Sequence, residues 1–304
     1  MASVVIPTKD EEKIFEAIEK AKEENPDEII VVDEESSQRQ YQEKLRSLEG
    51  IKYLTVSGGT AKARNKGIEE AENDKVLLLD ADCYPTEKWH DKMSKALDQT
   101  DLAEGEVKYI GERCPLNKIV ENRGEGNRFL TANLGLRKEV FEDVKFDENY
   151  DIFREDTDFG WSALQKGFTS QFVKGAMVEH DAGRYNLKGF VKDRLRYKTE
   201  DYFYNKFKDY ELIDSEVSKI GPIYYPIEAG MTGALIATII AAFISPYSLI
   251  GTAGIMAFLS TYYTKTKADS KNARFCVKDW IKGLYYIPLG IVAKQYAVNR
   301  GRIR

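Results

Sequence analysis

Short apolar runs alternate with amphipathic stretches along the first third of the chain. Val4–Ile6 is a β-branched run closed by Pro7, and Ile29–Val32, Ile51–Val56 and Val76–Leu79 repeat the pattern. Between these runs, Ile14, Ala17, Ile18 and Ala21 recur at helical spacing within Glu11–Glu24, and Ser37–Leu48 and Thr60–Glu72 read as helices as well. Strands that are apolar throughout, separated by helices, predict a mostly parallel sheet covered on both faces, an α/β Rossmann-like arrangement. Further along, strands are expected at Ala103–Tyr109 and Val173–Val178. Helices are expected at Lys138–Val144, Asp156–Lys166 and, as one long element, Gly189–Phe207.

The pattern changes after residue 215. Ile227–Ile244 holds a single charge, Glu228, and Tyr247–Tyr263 holds none, with Ser245-Pro246 between them. Each stretch is near the lower limit of the ~20 residues that span hydrocarbon, so a transmembrane helical hairpin is expected. Tyr224, Tyr225, Tyr262 and Tyr263 suit its interfacial ends. The alternative is a helical hairpin buried in a soluble domain. Trp280–Val298 is interrupted by Lys282, Lys294 and Gln295 and predicts an interfacial amphipathic helix, or else a third span. The division expected is therefore a domain over 1–215 and a membrane region over 216–304.

Charge sharpens this picture. The net charge of −5 argues against a nucleic-acid partner. The basic residues of the last forty positions, from Lys265 to Arg304, suit anionic lipid headgroups and place the soluble domain on the cytoplasmic side of a membrane. Cys83, Cys114 and Cys276 are odd in number and lack metal-ligand spacing, and so read as free thiols in a reducing compartment. The first apolar run is too short for a signal sequence.

Candidate chemistry gathers where the strands end. Parallel sheets bind ligands at the carboxyl ends of their strands, and those ends here are Pro7-Thr8, Asp33-Glu34 and Asp80-Ala81-Asp82. Two carboxylates one residue apart, leaving a buried strand, offer the hard oxygens that suit Mg2+ or Mn2+ bridging a diphosphate. A solvated turn is the plainer explanation of the same pair.

Four segments in order carry a resemblance. Ser3–Glu11, Ile30–Ser37 (in the place of a usual Val-Val-Asp-Asp-Gly-Ser), Ala63-Arg64-Asn65-Lys66-Gly67 and Leu79-Asp80-Ala81-Asp82 resemble the inverting family-2 glycosyltransferases, which have the glycosyltransferase-A fold. The resemblance covers about Ser3 to Tyr197. It implies a nucleotide-diphosphate sugar donor, with Pro7, Thr8, Glu11, Asp33, Arg64, Asn65, Asp80 and Ala81 on the nucleotide-sugar side. Asp33 would meet the base, Asp80 the ribose and Asp82 the metal. Glu34 and Glu35 depart from the usual Asp-Gly.

Arg154–Trp161 resembles the family's Glu-Asp motif, which implies Asp156 as general base with Glu155 supporting it. Acidity at a helix start explains the same residues structurally, as a helix N-cap does for Asp33. Val178-Glu179-His180 resembles a strand-end Val-x-His, which would bring His180 to the metal or the diphosphate. Asp193–Tyr197 is similar to Gln-x-x-Arg-Trp with two substitutions. That similarity implies Arg196 at the diphosphate and Tyr197 at the acceptor. Asn133 is expected on the acceptor side. The function expected is metal-dependent, inverting sugar transfer to a lipid-linked acceptor at the cytoplasmic membrane face. A polyprenyl-phosphate sugar synthase and a non-catalytic nucleotide-sugar-binding membrane protein are the alternatives.

Overall fold

The computed structural model describes residues 1–301 except 112, 114–115, 117–118, 125–126, 151–152, 182–185, 221–222, 245–247 and 271–276. The chain divides into two compact units, one of residues 1–111 and 120–182, the other of residues 112–119 and 183–304.

The first unit begins β1 (Ser3–Thr8), α1 (Ile14–Glu23), β2 (Glu28–Asp33), α2 (Arg39–Arg46), β3 (Lys52–Thr55), α3 (Thr60–Glu70) and β4 (Lys75–Leu79). It continues β5 (Cys83–Pro85), α4 (Trp89–Ala96), β6 (Leu102–Tyr109), β7 (Asn133–Arg137), α5 (Lys138–Asp143), α6 (Glu155–Gln165) and β8 (Ser170–His180). One sheet holds all eight strands in the order β3-β2-β1-β4-β7-β6-β8-β5. The first four are mutually parallel. β7 runs antiparallel to both β4 and β6, β8 is parallel to β6, and β5 lies antiparallel on β8.

β1, β2 and β4 are apolar over Val4–Ile6, Ile29–Val32 and Val76–Leu79, where both of their faces are covered, whereas β3 at the sheet edge is only partly buried. On one face Val4, Ile6, Ile29, Val31, Leu77 and Leu79 pack with Ile14 and Ile18 of α1 and Trp89 and Met93 of α4. On the other face α3 lies so close to the sheet that a Cβ on Gly67 would come within 2.3 Å of the Val5 side chain. Gly67 is thus the residue that lets α3 sit down on β1, and with it the side chains of Arg64 and Asn65.

The second unit comprises α7 (Leu187–Leu195), a 3-10 turn (Arg196–Thr199), α8 (Glu200–Phe207), α9 (Ile213–Glu216), β9 (Lys219–Ile220), β10 (Ile223–Tyr224), α10 (Pro226–Ile244), α11 (Ser248–Ser270) and α12 (Val277–Gly301). The single helix expected over Gly189–Phe207 is instead broken by the 3-10 turn. α7, that turn and α8 all pack on α12 within the second unit. Helices stand at both apolar stretches, but among the described residues no helix is long and apolar enough to cross a membrane. The expected spanning hairpin is not found there. The third apolar stretch is one helix with Pro288 inside it. It is tied to α11 where the Ser260 hydroxyl donates to the Trp280 carbonyl at 2.7 Å and the Trp280 indole donates to Thr261 at 2.8 Å.

Candidate active site

The parallel register puts Thr8 beside Asp33, so the ends of β1 and β2 lie side by side. Here the polar groups are already engaged. The Thr8 hydroxyl bonds to that of Tyr41, and Tyr41 also donates to the Glu11 carbonyl at 3.2 Å. Burial raises the Tyr41 phenol to about 12, so it stays a donor at neutral pH. Asp33 is fully buried. Its Oδ1 accepts from the Ser36 amide at 2.9 Å and the Ser36 hydroxyl at 2.6 Å, and its Oδ2 accepts from Tyr53 at 2.7 Å. It caps the turn after β2, while the N-cap position of α2 falls on Gln38. Glu35, which replaces the usual glycine, sits at φ 51, a left-handed backbone that glycine adopts without strain. Pro7 lies in β1 opposite Val32, and Glu11 accepts from the Lys13 amide at 3.1 Å.

A second cluster forms where α3, β4 and α6 meet. Arg64, only 4% exposed, directs Nη1 to Glu155 Oε1 at 2.9 Å and Nη2 to Asp80 Oδ1 at 3.1 Å. The guanidinium fork joins two carboxylates that are 75 positions apart in sequence. Among the described residues neither Arg64 Nε nor Glu155 Oε2 finds a partner, although both are buried. Asp156 follows Glu155 in the first turn of α6 and points elsewhere: its Oδ1 accepts the Thr157 amide at 2.7 Å. Desolvation first and the neighbouring Glu155 carboxylate second raise the Asp156 carboxyl to about 7. Burial likewise raises Glu34, with a bond from Thr60 offsetting part of the rise. The turn that carries the acidic pair starts from Arg154, buried and held at φ 80, a strained conformation for a residue with a side chain.

A third cluster lies at the β5–β8 edge. Asp82 Oδ1 is 3.3 Å from His180 Nε2 and 3.9 Å from the buried Cys83 thiol. One ligand atom from each of the three residues lies within 4.8 Å of the others. Asp82 and His180 therefore fit the requirement of a divalent ion for converging donors. His180 Nδ1 is buried without a partner. Ala81 is buried between Asp80 and Asp82.

Two expected site residues serve the scaffold. The Asn65 amide exchanges two 2.9 Å bonds with the Phe146 backbone. Asn133, expected on the acceptor side, lies in β7 and spends its side chain on the core. Its Oδ1 accepts from the Trp89 indole at 2.8 Å, and its Nδ2 donates to Glu106 and Ala176 carbonyls at 2.8 and 2.9 Å. Arg196 and Tyr197 belong to the second unit. There Arg196 pairs with Asp193 at 3.0 Å, and the Tyr197 ring meets Tyr225 edge-on. Sequence reasoning missed Glu104. This buried carboxylate accepts from the Asn127 and Phe129 amides at 2.5 and 2.7 Å, and desolvation raises it. It grips the loop whose Arg128 carbonyl accepts from Thr157, one residue after Asp156, at 3.3 Å. Its only signal was an acidic residue on the buried face of a strand.

Residues 3–146 match the model of Glycosyl transferase family 2. Glycosyltransferase AglE of Haloferax volcanii is 28% identical over 173 residues, covering 51% of this chain and 57% of that protein. Amylovoran biosynthesis glycosyltransferase AmsB of Erwinia amylovora is 28% identical over 189 residues, covering 52% of this chain and 60% of that one. The chain thus spans less than two thirds of the length of these relatives. A crystal structure of GalNAc-T7 with UDP, GalNAc and Mn2+ shares the fold with a TM-score of 0.51 at 15% identity, over 71% of this chain and 56% of that one. Less than half of the chain is thus similar to Glycosyl transferase family 2, and the α/β fold is shared with the GalNAc-T7 structure.

Proposed function

We propose, from that premise, that the chain is an inverting glycosyltransferase in which Asp156 is the general base. The observation that carries this reading is the contrast within the acidic pair at the start of α6. Glu155 is locked to Arg64 at 2.9 Å, whereas Asp156 is half-buried and raised to about 7. A base poised near the working pH combines a deprotonated population with real proton affinity. Asp156 would take the proton of an acceptor hydroxyl as that oxygen bonds to the anomeric carbon. The bond from that carbon to the nucleotide diphosphate breaks, its electron pair leaves on the phosphate oxygen, and the anomeric centre inverts.

Asp82 and His180 would hold a divalent ion, which would supply Lewis-acid neutralisation of the departing diphosphate. Arg64 fixes Asp80 on the donor side and Glu155 on the acceptor side of one guanidinium. A polyprenyl phosphate acceptor is already anionic and needs no base, so the state of Asp156 favours a hydroxyl acceptor.

The reading continues with a lipid-linked acceptor at the cytoplasmic face of a membrane. Its support is the exposure of large apolar side chains in the second unit: Ile236, Ile239 and Ile240 of α10, Phe258 of α11, and Leu289 and Val292 of α12. Apolar surface of this kind, in a region whose sequence from Lys265 to Arg304 is rich in Lys and Arg, suits contact with anionic lipid. Flotation with anionic and neutral vesicles tests it, and no flotation with either removes the membrane from the reading.

Hydrolysis of a panel of nucleotide-sugars, with Mg2+ or Mn2+ and then with EDTA, tests the transferase itself. Metal-dependent release of one nucleotide diphosphate, lost in Asp82→Ala, is expected. No turnover with any donor and no metal-dependent nucleotide binding would leave a non-catalytic membrane protein.

A further inference from the structure

Cys83 reads in the sequence as an isolated free thiol. The fold gives it neighbours. β5 and β8 pair antiparallel with Cys83 directly opposite His180, and directly opposed residues of such a pair project on the same face of the sheet. Asp82 immediately precedes β5. Its Oδ1 lies 3.3 Å from His180 Nε2 and 3.9 Å from Cys83 Sγ. A tetrahedral zinc ion with bonds of about 2.0–2.3 Å holds its ligand atoms about 3.3–3.7 Å apart. An octahedral magnesium ion, with bonds of about 2.0–2.1 Å, needs adjacent oxygens about 2.9 Å apart. The 3.3 Å between Asp82 and His180 falls in the wider range, and the 3.9 Å between Asp82 and Cys83 lies just beyond it.

The donor set points the same way. Cys83 and His180 are both buried. A thiol and an imidazole are poor partners for Mg2+ and good ones for Zn2+ and Co2+. His180 Nδ1 is a buried nitrogen without a partner among the described residues, and Nε2 is the nitrogen that faces Asp82.

We propose that Cys83 is a third ligand of this site and that Asp82, Cys83 and His180 together hold a thiophilic divalent ion, Zn2+ or Co2+, in preference to Mg2+. As the ion binds, the Cys83 thiol gives its proton to solvent and the thiolate sulfur bonds the metal. Three protein ligands leave the fourth position open to an oxygen, the arrangement of zinc sites that act on a bound group. The inference shares Asp82 and His180 with the proposed transfer site and rests on that reading only for the role of the ion, not for its binding.

The test uses the full chain with Cys114 and Cys276 replaced by serine, so that Cys83 is the only thiol, and it needs no donor. Titration with Co2+ should give a sulfur-to-cobalt charge-transfer absorption that equimolar Zn2+ abolishes and a large excess of Mg2+ does not. The band should be missing when Cys83→Ser is added. X-ray absorption at the zinc edge should show one sulfur neighbour at about 2.3 Å. This spectrum is read on protein that keeps Cys83, so it decides even where Cys83→Ser fails to fold. Bound metal with only nitrogen and oxygen neighbours, or no Zn2+ or Co2+ binding at all, would overturn the proposal. A sulfur-bound ion in a chain that hydrolyses no nucleotide-sugar would keep this site and remove the transferase reading. Mn2+-supported hydrolysis with an edge free of sulfur would do the reverse.

Discussion

The ends of β1 and β2 and the junction of α3, β4 and α6 are both built of buried polar side chains at the same edge of one sheet, yet they differ in how complete they are. At the first, both Asp33 oxygens and the Thr8 hydroxyl already have partners within the protein. At the second, Arg64 Nε and Glu155 Oε2 are buried and have none. A fully bonded group holds shape, and a buried unbonded one raises the free energy of the fold until something bonds it. The difference separates the part of the site that frames a ligand from the part that responds to it.

Asp156→Asn acts on the responsive part and should have the largest effect. Turnover should fall by about 100- to 10,000-fold with nucleotide binding retained, as steady-state kinetics and donor titration would show. In the parent protein kcat/KM should rise with pH through about 7, because the carboxylate is the active form. The same group affects stability in the opposite sense. Its pKa in the folded chain lies above that of the unfolded chain, so the folded form binds the extra proton. Its contribution to stability is complete below the ordinary carboxylate range and is lost as pH rises towards about 7. Unfolding measured across that window should flatten in Asp156→Asn.

Arg64→Met strands Glu155 without its buried cation and should cost about 3–5 kcal/mol in urea unfolding. A loss below about 1 kcal/mol, the value of a surface pair, would erase the distinction drawn above. Tyr53→Phe removes one donor from Asp33 and should cost about 1 kcal/mol while the donor KM stays unchanged. A raised KM would move Asp33 into the ligand-responsive group. Glu35→Gly relieves a left-handed residue in the framing loop and should raise stability by up to about 1 kcal/mol, read as a shift of the denaturation midpoint.

The parallel half of the sheet was legible because it is buried on both sides. Runs such as Val76–Leu79 have no polar position at which to be mistaken. β7 was not, since Asn133 and Gly135 look like loop residues until Trp89 and the neighbouring carbonyls satisfy the asparagine amide. β5 has only three residues and exists through its pairing with β8. In the site, the residue types could be read from their order along the chain but their partners could not. Nothing local to Arg64 announces Glu155, and nothing local to Cys83 announces His180. The membrane expectation rested on the length and missing charge of two stretches and on their aromatic and basic flanks; helices stand at both, and among the described residues none is long and apolar enough to cross a membrane.

Arg64 and Glu155 lie 91 positions apart, and this spacing imposes a schedule on synthesis. At roughly 5–20 residues per second, the ribosome makes Glu155 some 5–20 s after Arg64. In that interval β1 to β4 can form among themselves, with Asp80 as the guanidinium's early partner. β8 arrives later still, and it must pair with β6 on one side and with the much earlier β5 on the other. The nascent chain thus lays down the parallel half first and holds an incompletely neutralised arginine in it. Docking of the acidic turn of α6 is a late event, and the buried charge cluster closes only when nearly all of the first unit has emerged.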